Sequence, residues 1–158
     1  YLRTSTTTST ATRMPDAPRP LLLDTGSLYA RFDPDDANHQ RAQATFEKIR
    51  TNELRFRPLY TSRYVFSELA TLLQRRVPHD ETVRALNSIR SSEQIQILTL
   101  DEEHFDTVCD AFEEYDDQNI SFVDHTSAVL ADQYEIEHVF AFDSDFSTLG
   151  LTRVPGDL

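Results

Sequence analysis

The feature that most constrains this chain is an apolar run that ends on an acid and passes straight into helical spacing. Leu21-Leu22-Leu23 stops at Asp24, and Thr25 to Phe32 continues with helical periodicity until Asp33-Pro34. Three consecutive leucines suit a strand buried on both faces, and the residue before a proline is driven out of the helical region. The junction recurs near the C-terminus, where Val139 to Phe142 reads as a strand ending at Asp143 and a helical turn follows to Leu149. Between them the chain alternates. Residues 35 to 50 are polar with Ala37, Ala42, Phe46 and Ile49 on one side, Pro58 to Tyr60 suit a short strand, and Ser62 to Arg76 form an amphipathic helix. A helix after Pro78 runs to about Arg90, Gln94 to Leu100 alternates as a strand, Asp101 to Tyr115 makes an acidic helix, Ser121 to Tyr134 is helical, and Thr152 to Val154 adds a last strand. Strands alternating with helices through short loops predict an α/β fold: a mostly parallel sheet of four or five strands covered on both faces.

At 158 residues one core is expected. Residues 1 to 13 are Ser/Thr-rich, and the single methionine, Met14, precedes Pro-Asp-Ala-Pro-Arg-Pro. We therefore expect residues 1–18 to be a disordered tail or a mis-assigned start, and residues 19–158 to form one domain. The apolar runs fall far short of the roughly 20 residues that span a bilayer, which predicts a cytoplasmic protein without membrane contact. The lone Cys109 cannot form an internal disulfide, and its neighbours Val108, Ala111 and Phe112 suggest a small buried hydrophobe.

A net charge of -12 argues against a nucleic-acid partner if taken alone, because such proteins gain affinity by neutralising phosphates. The charge is uneven, however. Residues 50 to 76 hold six arginines (50, 55, 57, 63, 75, 76) against Glu53 and Glu68, leaving +4 there and -16 elsewhere. Lys48 is the only lysine beside fourteen arginines. Acid-rich, lysine-poor surfaces look like those of proteins from high-salt cytoplasm, as in halophilic archaea, where salt screens self-repulsion.

The acids at strand ends are the candidate chemistry. Ligands of open α/β sheets bind beyond the carboxyl ends of the strands, where Asp24 and Asp143 stand, although each also suits a helix N-cap. Glu68 lies three residues after Val65 and four before Leu72 on a helix whose apolar face also includes Leu69 and Leu73, so its carboxylate faces inward and needs a cation or a basic partner such as Arg63. Asp124 in Ser121-Phe122-Val123-Asp124 fits a capping box, and the small Ala128 and Ala131 of the same helix allow close approach to the sheet. Four carboxylates without paired Cys or His ligands specify a hard cation, Mg²⁺ or Mn²⁺. The five histidines (39, 79, 104, 125, 138) lack ligand spacing, and His125 beside Asp124 suits a surface or supporting position better than ligation. Such a cluster suits phosphodiester hydrolysis, with Arg55, Arg57, Arg63, Arg75 and Arg76 available for flanking phosphates.

These positions resemble the PIN-domain family, and most closely its VapC-type toxins, from about Leu21 to Val154. Leu21-Leu22-Leu23-Asp24-Thr25-Gly26-Ser27-Leu28 is similar to the family's opening strand and first aspartate, and Phe66-Ser67-Glu68-Leu69 to its helix glutamate. Ser121-Phe122-Val123-Asp124 with Ala128 is similar to the third acid's helix, and Phe142-Asp143-Ser144-Asp145-Phe146 to the closing motif. The resemblance implies a three-layer α/β/α fold, Mg²⁺-dependent cleavage of RNA, homodimerisation, and inhibition by a small antitoxin encoded alongside. It also implies an acidic site of Asp24, Glu68, Asp124 and Asp143, with the metal on Asp24 and Asp124, Ser27 or Thr25 orienting ligands and Asp145 as an auxiliary acid. The Ser/Thr segment and the acidic stretch from Asp101 to Asp117, with nine acids and no Lys or Arg, depart from the usual toxin.

Asp24-Thr25-Gly26-Ser27 also looks like an aspartic-protease motif, but that chemistry needs paired aspartates in a β-rich fold dense in turns, and this chain has three glycines. A haloacid-dehalogenase phosphatase would need a second Asp where Gly26 stands. A DNA-directed structure-specific nuclease would need helical insertions for which there is no room. A catalytically inactive PIN-like module that binds RNA or protein is the non-enzymatic alternative.

Overall fold

The triple-leucine run becomes β1 (Arg19–Leu23), the central strand of a five-stranded sheet in which every neighbour is parallel. Outward on one side come β2 (Phe56–Ser62) and β3 (Ile95–Leu98), and on the other β4 (His138–Phe140) and β5 (Thr152–Val154). The chain builds one half of the sheet, returns to the centre and builds the other, so the sense of connection reverses between β1 and β4. In parallel sheets that reversal opens a crevice beyond the carboxyl ends of the two strands. The computed structural model describes residues 17–116 and 119–158; nearly all of the tail expected over residues 1–18 lies outside them, as does Asp117 of the acidic stretch.

Side chains alternate across the sheet, and the leucines divide accordingly. Leu21 and Leu23 enter a core with Leu28 of α1 (Thr25–Phe32), Ala42 and Ile49 of α2 (His39–Arg50), Leu69 and Leu73 of α3 (Arg63–Arg76) and Ile89 of α4 (His79–Arg90). Leu22 enters a smaller core on the other face with Ala131 of α6 (Phe122–Gln133) and Phe146 of α7 (Asp145–Thr148); α5 (Glu102–Glu114) packs on α6. The result is a three-layer α/β/α sandwich. All three leucines are fully buried, each stabilising the fold by about 1.5–3 kcal/mol.

The helices fall within a residue or two of expectation because their caps are local: Ser62 accepts from Val65 N–H, Asp101 from His104 N–H, and Ser121 from Asp124 N–H. Strand limits differ more. β2 extends to seven residues on both sides of the expected Pro58–Tyr60, and Pro58, which has no N–H to donate, sits where the β1–β2 register slips between Arg19↔Phe56 and Leu21↔Leu59. β3 is shorter than expected. β4 stops at Phe140, so Ala141 and Phe142 carry the chain beyond the strand before Asp143. Cys109 is half-buried and not a core residue, since the burial on α5 centres on Val108. His125 is buried beneath Phe112 and Tyr115, so of the surface and supporting positions expected for it the surface one is excluded.

Candidate acidic site at the sheet switch point

Asp24 leaves β1 with its backbone N–H still paired to the Phe140 carbonyl of β4 (3.2 Å), and it is the N-cap of α1, its Oδ2 accepting from Gly26 N–H at 3.3 Å. The strand-to-helix turn therefore has no length to spare, and Asp24 stays at 6% exposure. Ser27 is also buried, but its hydroxyl donates to the Asp24 carbonyl (2.9 Å), so it fixes the turn instead of facing a ligand. The buried Thr25 Oγ1 has no hydrogen-bond partner.

Asp124 approaches from the other layer on the first turn of α6. The capping box is complete: Ser121 Oγ accepts from Asp124 N–H (3.1 Å) and Asp124 Oδ2 accepts from Ser121 N–H (3.0 Å). The cap and functional readings of Asp124 are thus compatible, because the box engages Oδ2 while Oδ1 takes no hydrogen bond among the described residues. Glu68 is half-buried on α3, with Val65 and Leu69 of the same helix in the core. Asp143 is exposed, its Oδ1 accepting from Asp145 N–H (2.9 Å) to open the turn of α7. Asp145, half-buried, serves that turn through its backbone.

Electrostatics shows which acids converge. The Asp24 carboxyl is pushed up to about 7, first by burial, then by the charge of Asp124 and, more weakly, of Glu68, while the Thr25 and Gly26 amides oppose the rise. Asp124 is also raised, chiefly by burial, with the Ser121 hydrogen bonds opposing and Asp143 adding repulsion. The acids therefore form a chain of mutual repulsion, Glu68 to Asp24 to Asp124 to Asp143, and no Lys, Arg or His is among the principal influences on Asp24.

Among the described residues no three Asp, Glu, His or Cys side chains close into a ready metal cage. The donor chemistry nevertheless fits a small hard cation. Two facing carboxylates, one of them buried and uncompensated, suit Mg²⁺, which commonly takes one or two carboxylates and keeps several waters. Asp24 and Asp124 are the pair that would hold it.

The arginines separate. Arg63 opens α3 at the carboxyl end of β2, on the acidic edge. Arg55 and Arg57 lie at the amino end of β2, roughly 16–23 Å away at about 3.3 Å per residue. Arg75 and Arg76 end α3, about 18–20 Å from Arg63 along the helix axis, and Arg76 acts on Tyr29 and Asp33 at the far end of α1. Of the five, only Arg63 stands at the carboxyl end of the sheet, where the acids also lie.

Two neighbours of the acids, Ser127 and Arg153, were not singled out in the sequence; His125 was. Ser127, one turn after Asp124, is buried with an unpartnered hydroxyl; its i, i+3 spacing from Asp124 was the available signal. His125 packs edge-on to Phe112 and Tyr115, and its Nε2 has no partner. Arg153 donates to the Phe142 carbonyl (3.3 Å) and pairs with Asp157 (3.0 Å), holding the segment that presents Asp143; nothing local in the sequence marks that contact.

A model of the PIN domain matches residues 21–150. The 23S rRNA-specific endonuclease VapC20 of Mycobacterium tuberculosis is 29% identical over 136 residues, covering 85% of this chain and 97% of that protein. The crystal structure of the same relative, described as a sarcin-ricin loop cleaving toxin, superposes with a TM-score of 0.74 at 27% identity, over 83% of this chain and 95% of that one. FitAcB from Neisseria gonorrhoeae shares the fold, with a TM-score of 0.56 at 15% identity over 84% of this chain and 95% of its own. By sequence and by architecture, the chain belongs to the PIN-domain family of ribonucleases.

Proposed function

We propose that this protein is a divalent-metal-dependent endoribonuclease, Mg²⁺ being the natural cofactor and Mn²⁺ a substitute, and that it acts as the toxin of a type II toxin–antitoxin pair. The observation that carries the reading is the buried Asp24 carboxylate facing Asp124 and Glu68 at the sheet switch point with no cationic partner among its principal influences. The named activity of VapC20 makes ribosomal RNA the first substrate to test. A homodimer and a small cognate antitoxin complete the picture, on resemblance alone; light scattering that shows a monomer at working concentration would remove the dimer. No helix among the described residues is long and apolar enough to cross a membrane.

The bound cation would supply Lewis acidity toward a water and positive charge for the scissile phosphate. The chain's own residues do the positioning. Gly26 N–H and the Ser27 hydroxyl hold the Asp24 turn, and Ser121 holds Asp124 so that Oδ1 points free of the cap. Glu68, which acts on Asp24, and Asp143, which acts on Asp124, supply the further carboxylates beside that pair. Arg63 puts positive charge at the same edge.

The test is cleavage of total cellular RNA by antitoxin-free protein in molar KCl, the medium its acid-rich composition favours, with Mg²⁺ or Mn²⁺ against EDTA. Discrete metal-dependent fragments that disappear in Asp24→Asn and Asp124→Asn are expected. Absence of cleavage from folded protein under either metal would favour a non-cutting binding module, in which Asp124 and Asp143 serve only as the caps they also form.

A further inference from the structure

Beyond the acids, one side of the molecule gathers positive charge. Arg63 of α3 and Arg90 at the end of α4 line a cleft of about 290 Å³ together with Phe66 and Ile97. No acid lines it, and neither guanidinium has a hydrogen-bond, ion-pair or ring partner among the described residues. Arg50, Arg84 and Arg153, by contrast, are each matched to an acid. Two guanidiniums sharing a cleft repel one another, and an anion between them reverses the sign of that interaction. The α3 amino terminus adds its positive end to the same place.

The cleft has a defined place relative to the acids. Ile97 of β3 is paired with Thr61 of β2, and the Thr61 hydroxyl donates to the Leu23 carbonyl at 3.2 Å, one residue before Asp24. Two strand spacings of about 4.8 Å separate Ile97 from Leu23, the neighbour of Asp24, by roughly 10 Å, the span of about two backbone phosphates at about 6 Å each along an RNA strand. We propose that Arg63 and Arg90 form an anion-binding cleft that holds an RNA backbone phosphate two or three nucleotides from the scissile bond. Phe66 and Ile97 provide an apolar wall against which the guanidinium planes keep their orientation. The inference rests on the ribonuclease reading above; it adds Arg90 and a position along the substrate.

The experiment is single-turnover cleavage of an RNA hairpin that the wild type cuts, measured over a tenfold range of KCl in Mg²⁺. The variants are R63A/R90A and, as a control with the same change of net charge at the opposite edge, R55A/R57A. A phosphate contact that is equal in ground and transition states raises KM and spares kcat. Losing one phosphate contact flattens the salt slope by about 0.7 on single-stranded RNA, so R63A/R90A should lose about 5-fold less in kcat/KM than the wild type per tenfold rise in KCl. R55A/R57A should keep the wild-type slope. A scan of single methylphosphonate linkages should reveal one position, two or three nucleotides from the cut, whose neutralisation raises KM in the wild type and not in R63A/R90A. If R63A/R90A behaves like R55A/R57A, or if no linkage shows that coupling while the wild type still cleaves, the cleft is not a phosphate site and the nuclease reading stands. Wild-type protein that cuts no RNA overturns both.

Discussion

Asp24 and Asp143 arise from the same local pattern, an apolar parallel strand followed by an aspartate, on neighbouring strands of one sheet, yet they finish in opposite surroundings. Asp24 follows Leu23 directly and is itself the cap of α1, so strand pairing and helix packing both close over it. Two further residues, Ala141 and Phe142, separate β4 from Asp143; Arg153 holds the Phe142 carbonyl and the acid emerges into solvent. Burial first, and the neighbouring acids second, then set the character of Asp24. Asp24 shares a low-dielectric space with two other acids and titrates near 7, whereas Asp143 exerts its charge on Asp124 from outside. In this pair the strand-end aspartate is buried where no linker separates it from its strand, and exposed where one does.

The largest test of this contrast is catalytic. Asp24→Asn should lower metal-dependent RNA cleavage on the order of a thousandfold, about 4 kcal/mol of transition-state stabilisation, and Asp143→Asn nearer tenfold. Equal losses, read as kcat/KM in saturating Mg²⁺, would show that exposure does not grade the two acids.

A second test reads stability without metal. Unfolded, Asp24 ionises near 3.8; folded, it keeps its proton up to about 7. A raised carboxyl pKa means that the stability contribution is fully present below 3.8 and is lost as pH climbs to about 7, after which it stays lost. In EDTA, wild-type unfolding free energy should therefore fall between pH 4 and 7 by up to about 4 kcal/mol relative to Asp24→Asn, and Asp143→Asn should fall in parallel with the wild type. Saturating Mg²⁺ should restore stability above pH 7 to the wild type and not to Asp24→Asn. Parallel pH curves for wild type and Asp24→Asn in urea titrations would refute the buried, uncompensated carboxyl.

The smallest expected effect concerns Asp124, which stands between the two. Ser121→Ala removes one half of the capping box and should cost about 1 kcal/mol of stability. Because Ser121 N–H still donates to Asp124 Oδ2, cleavage should fall by only a few-fold, whereas Asp124→Asn should remove it. A Ser121→Ala enzyme as weak as Asp124→Asn would mean that the cap, and not the carboxylate's own chemistry, governs this position.

Much of this was legible in the residues. The triple leucine, the helix caps Ser62, Asp101 and Ser121, and the regular alternation of strand and helix are local signals, and the observed elements follow them closely. Strand limits were less legible, because a strand ends where its neighbour stops pairing, and the neighbours of β4 lie at opposite ends of the chain. The four acids could be named from their positions after strands and on apolar helix faces, but their ranking could not. Asp143 shared the strand-end position of Asp24 in sequence and Glu68 was expected to face inward, and packing left Asp143 exposed and Glu68 half-buried. The arginines show the same limit. A run of positive charge between residues 50 and 76 reads as one patch, but β2 and α3 carry its members to opposite ends of the sheet and leave only Arg63 at the end where the acids lie.

The sequence by itself determined the α/β class, the buried opening strand and the helix caps, because periodicity, caps and turn chemistry act within a few residues. The tertiary structure decided that β1 and β4 would be neighbours, that Asp24 would be buried against Asp124, and that Arg63 would meet Arg90. Those outcomes depend on contacts between segments far apart in the chain, where burial and the distances between charges are set by how layers pack.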